Sequence, residues 1–115
     1  MELAGDVPIS QVYTVTFLAE KGLTGSASYT TPPGFVAVVR DIQAFGSVTA
    51  AGSISVEGPV GEAIYFYDWP INGQAVDYRT VRVAYTAGQT ITAVARVGPV
   101  DAVDVTVTGY LLTAS

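Results

Sequence analysis

The residues that could do chemistry are few. The 115-residue chain has no His and no Cys. That removes the commonest general base and metal ligand, every Ser-His-Asp triad, thiol nucleophiles and disulfides. The remaining acid-base groups are carboxylates. Three pairs have a spacing that a glycosidase could use: Glu57 with Glu62, Asp68 with Asp77, and Asp101 with Asp104. Each also fits a plainer role. Glu57 and Glu62 flank the turn Gly58-Pro59-Val60-Gly61, Asp68 and Asp77 bracket a loop, and Asp101 and Asp104 open a strand on opposite faces. Solvated turn carboxylates are the expectation for all six. Asp68, Asn72 and Asp77 are oxygen donors that could approach a Ca²⁺ ion, but their spacing is not that of an EF-hand. Lys21, beside Gly22, reads as a solvated turn lysine. No phosphate loop, dinucleotide fingerprint or zinc spacing is present. The expectation is a non-enzyme with no catalytic residue, no cofactor and no metal.

The aromatic and guanidinium groups suggest contact instead. Tyr65, Tyr67 and Trp69 fall on alternate positions and share one face of an extended segment, with Phe66 between them and Tyr78 nearby. Three readings fit: core packing, a protein interface, or a platform for a sugar ring. Arg79 and Arg82 can pair with Asp77, Asp68 or a neighbour's acids, or form exposed cross-strand pairs. Tyr65, Tyr67, Trp69, Arg79 and Arg82 are therefore the candidate interface or ligand-contact residues.

The elements that position them follow from composition and periodicity. Half the residues are hydrophobic and 13% are charged, which no disordered chain tolerates. No run reaches the ~20 apolar residues of a membrane helix. So apolar a chain is expected to hide surface against other copies or partners. The net charge is −5, and the five basic residues, Lys21, Arg40, Arg79, Arg82 and Arg96, are scattered. Nucleic acid and anionic membranes are therefore not expected partners. The acidic start, Met1 to Asp6, lacks the apolar region of a secretory signal, so cytoplasmic synthesis is expected.

Residues 1–11 read as a flexible arm and residues 12–115 as one domain. Strand-like runs occupy 12–18, 27–31, 35–45, 53–57, 63–67, 77–85, 89–97 and 101–113. Residues 46–52 read as a loop or short strand, and 68–74 as a loop carrying the sole Trp. Tyr13, Val15 and Phe17 should face the core, as should Val103, Val105 and Val107. The run 35–45 is apolar on both faces, so it is central to its sheet or touches another chain. Arg40 and Asp41 within it should point to opposite faces, and Gly109 should interrupt the last strand as a bulge. About eight short strands with turns every 8–12 residues predict an antiparallel β-sandwich, a jelly roll first and an immunoglobulin-like sandwich as the alternative.

Two stretches resemble small structural proteins of tailed-phage virions, especially phages of actinobacteria. One is TTPPGFVAVVRDIQAFGSVTAAG, residues 30–52; the other is YTAGQTITAVARVGPVDAVDVTVTGYLLTAS, residues 85–115. The resemblance implies a β-sandwich subunit located in the virion and without cofactors. Capsid decoration is the leading role, with a tail-associated protein or a carbohydrate- or receptor-binding module as alternatives. It implies a major capsid protein or tail protein as partner, self-association as a trimer, and no catalytic residue.

Overall fold

The computed structural model describes residues 12–70 and 73–114, with side chains from Thr14 onward. The arm expected over 1–11 lies outside the described residues. Eight strands follow in order: β1 (Val12–Leu23), β2 (Ser26–Thr30), β3 (Phe35–Val48), β4 (Gly52–Glu57), β5 (Ala63–Trp69), β6 (Gly73–Tyr85), β7 (Thr90–Arg96) and β8 (Val103–Thr113). They form two four-stranded sheets, ordered β1-β8-β3-β6 and β2-β7-β4-β5. All the ladders are antiparallel. Pairing β1 with β8, β2 with β7, β3 with β6 and β4 with β5 makes one long hairpin with its tip at β4–β5. Rolling that hairpin adds the β3–β8 and β4–β7 ladders and closes a jelly roll.

The strands form where β-branched residues alternate with Ser, Thr or small residues. β8 shows it most simply: Val103, Val105 and Val107 are buried, and the residues between them are half-exposed. They meet Ile54, Val56, Ile91 and Ala93 of the second sheet in a common core. β3 lies between β8 and β6, as a strand apolar on both faces should.

Several strands run longer than the sequence pattern suggests. β3 continues to Val48, β5 to Trp69, and β6 starts at Gly73, so most of the expected 68–74 loop is strand. β1 passes through the expected turn at Lys21-Gly22 and ends at Leu23. Gly22 takes a positive φ of 69°, and its N–H donates to Asp104 Oδ1 at 2.8 Å, which lets a bulged strand continue there.

The first sheet bends along a row of irregularities. β1 gains a residue against β8 between Thr16 and Leu18, which buries both Phe17 and Leu18. β3 gains one against β8 between Val39 and Asp41, and β6 gains one over the same step of β3. Val39 and Ile42 are both fully buried, so Arg40 and Asp41 share the outer side rather than taking opposite faces. Gly109 is not itself the bulge. It pairs in register with Val15 and Val39, and a Cβ there would collide with the Val38 carbonyl oxygen. The glycine makes room for the bulge in the neighbouring strand.

Candidate functional site

The face carrying Tyr65, Tyr67 and Trp69 turns inward. Tyr65 is 2% exposed and Trp69 3%, with Tyr67 half-buried against the same core. The indole N–H of Trp69 donates to the Ala50 carbonyl at 3.1 Å, and its ring lies over Gly52, where a Cβ would come within 2.7 Å of the ring. Tyr65 donates from its hydroxyl to Asp77 Oδ2 at 2.8 Å. Burial first, and then this bond to a carboxylate, push the Tyr65 hydroxyl far above its ordinary value. Arg79 sits 5.5 Å from the centre of the Tyr65 ring and 3.5 Å from Asp77, an exposed pair of small energetic weight. Arg82 stands apart, exposed within the irregularity of β6 between Thr80 and Val83. Of the five candidates, then, Tyr65, Arg79 and their partner Asp77 are brought together, while Tyr65 and Trp69 offer no face to a ligand.

The carboxylate pairs are separated or employed locally. Asp68 is exposed on β5 in the second sheet, whereas Asp77 is on β6 in the first. Asn72 lies outside the described residues. Glu62 accepts from Val60 N at 3.0 Å and so closes its own turn. Asp101, 5% exposed, accepts from Thr49 N, Thr49 Oγ1 and Ala50 N, all at 2.9 Å. Those donors hold its carboxyl below the usual range and tie the β3–β4 turn to the start of β8. Asp104 is committed to Gly22.

The aromatic surface lies elsewhere. On the outer side of the first sheet, Phe45 is 57% exposed, Val76 52% and Tyr78 57%. Phe45 is directly opposite Val76 in the β3–β6 ladder, and Gln43 is opposite Tyr78. With Ala44 and Asp77 these residues line a shallow depression of about 420 Å³. Tyr78 donates to Asp41 Oδ1 at 2.7 Å, which holds its ring in place and raises its pKa. The outer side of the second sheet is different. Ser26, Ser28, Thr30, Ser53 and Thr92 cover much of it, with Phe66 as its one large exposed hydrophobic among the described residues. The sequence signal for the patch was the two-faced apolar run ending in Phe45; nothing in it singled out Val76.

No protein-family model matches the chain, and no curated protein matches it in sequence. Among solved structures it is similar to the coat protein of tobacco streak virus, at 9% identity and a TM-score of 0.49, over 96% of this chain and 91% of that one. It is also similar to a structure of infectious bursal disease virus, Gx strain, at 14% identity and a TM-score of 0.41. That match takes in 98% of this chain and 36% of the other, so the chain spans little more than a third of the latter's length. The jelly-roll assignment stands on the strand order itself.

Proposed function

We propose that this chain is a non-enzymatic structural protein of a virion, acting by protein contact, and that it decorates the capsid of a tailed phage. The observation that carries the reading is the outer face of the first sheet, where Phe45, Val76 and Tyr78 are over half exposed in a rigid ladder. Clustered exposed apolar groups on a sheet favour docking onto another protein. The described carboxylates support this reading, because Asp68 and Asp77 are split between the sheets and Glu62, Asp101 and Asp104 each accept from backbone N–H groups. The resemblance of residues 30–52 and 85–115 to phage virion proteins adds the head as the site, the major capsid protein as the partner, and a trimer as the working assembly.

Gold-labelled antibody against the chain, applied to particles from the phage that encodes it, tests the reading. Label on heads is expected. Label on tails would move the protein to a tail role, and unlabelled particles would overturn the proposal.

A further inference from the structure

Each sheet of a jelly roll has two edges, and an edge strand presents unpaired backbone groups to any other chain. Here the four edges are β1, β6, β2 and β5. β1 is broken by two register shifts. β2 has five residues and β5 seven. β6 has thirteen, and its register against β3 is unbroken from Gly73 to Thr80. That stretch contains no proline, and its outward residues are Gln74, Val76, Tyr78 and Thr80.

We infer that β6 is a two-fold contact between two copies of this chain, paired antiparallel with Tyr78 opposite Tyr78. A two-fold axis that keeps the outer faces of both copies on one side must place some residue opposite itself. The charges then choose which one. Centring on Asp77 or Arg79 sets like charges against each other, which is unfavourable. Centring on Val76 or Thr80 leaves both charges facing uncharged residues. Centring on Tyr78 sets Asp77 opposite Arg79 in both directions, and Val76 opposite Thr80. Within one chain Arg79 already lies 3.5 Å from Asp77 and keeps 52% of its side chain exposed, so it has reach across the new ladder. The dimer would hold a ring of four alternating charges beneath two touching Tyr78 rings. It would also double the Phe45–Val76–Tyr78 surface on one continuous sheet. The inference stands apart from the virion reading and from its trimer, since a two-fold edge contact joins copies pairwise whatever else they bind.

The test is sedimentation velocity of the purified chain over a range of concentrations. The unaltered protein should show a dimer. Asp77→Arg alone and Arg79→Asp alone should each weaken it by about tenfold or more, because each sets two like-charge pairs across the ladder. Mixing the two variants should restore it, since arginines then face aspartates throughout. Asp77 also accepts from Tyr65, so Tyr78→Lys serves as a second variant at an exposed position; lysine opposite lysine should weaken the dimer likewise. A monomer at every concentration would overturn the inference. So would a trimer or larger species unchanged by all three substitutions, a result that would leave the proposed function standing.

Discussion

Asp101 shows how a residue that sequence offers as a catalyst becomes a fastener. It takes three donors from Thr49 and Ala50, and these bonds are strongest while the carboxyl is ionised. Its folded pKa lies below the ordinary 3.8, so its stabilising contribution is complete above that value and is lost as pH falls through the depressed one. Asp101→Asn should therefore lower the urea midpoint at pH 7 and flatten the loss of stability below pH 4. Denaturation followed by Trp69 emission over pH 2–7 checks both. The opposite limb belongs to Tyr65 and Tyr85. Tyr85 is fully buried and donates to the Glu57 carbonyl at 2.6 Å. Burial raises both hydroxyls above the ordinary 10.0, so their contribution is whole below pH 10 and is lost as pH rises beyond it. A Tyr85→Phe chain should show a shallower alkaline decline. Thr31 is a different case. Its hydroxyl is buried without a hydrogen-bond partner, while its backbone N–H and carbonyl are bonded to the Gln89 carbonyl and the Gly88 N–H. Thr31→Val should keep those backbone bonds and stabilise the fold by about 1 kcal/mol in a urea titration.

At the scale of elements, the alternation of Val103, Val105 and Val107 made β8 legible, and the two-faced run made β3 a central strand. The Pro-Gly breaks between runs gave the number of strands. What sequence could not show was register. Bulges at Phe17 and Arg40 shift the inward phase by one residue, and no composition signal marks them. For that reason Leu18 is buried, Arg40 and Asp41 share a side, and the role of Gly109 was displaced onto its neighbour. The same limit hid the contact surface. Tyr65, Tyr67 and Trp69 were found as a face, but which way a face points depends on how the sheets close. Gly109→Ala tests the bulge directly. Its Cβ would collide with the Val38 carbonyl, and the cost should be about 3 kcal/mol, the upper end of overpacking effects. Thermal unfolding of that variant, compared with Gly25→Ala, where a Cβ meets nothing within 4 Å, separates collision from the general effect of adding a methyl.

The whole molecule measures 56 × 24 × 19 Å, and the 14-residue β3 accounts for about 46 Å of its length at ~3.3 Å per residue. Such a slab has two broad faces, and here they differ in chemistry. One is a field of hydroxyl groups with Phe66; the other carries Phe45, Val76 and Tyr78 beside the longest open edge. A particle surface is a natural receiver for the apolar face, and the edge is suited to a second copy. The proposed virion role requires that the apolar face dock the chain onto the particle. The most direct measurement is the amount of protein retained on density-purified particles of the phage proposed to encode it, for the unaltered chain and for Phe45→Ser/Val76→Ser. Both side chains are exposed, so Trp69 emission of the variant should remain that of a buried indole. The unaltered chain should be retained, and the folded double variant should be lost. Equal retention of the two, or absence of both from the particles, would contradict that role.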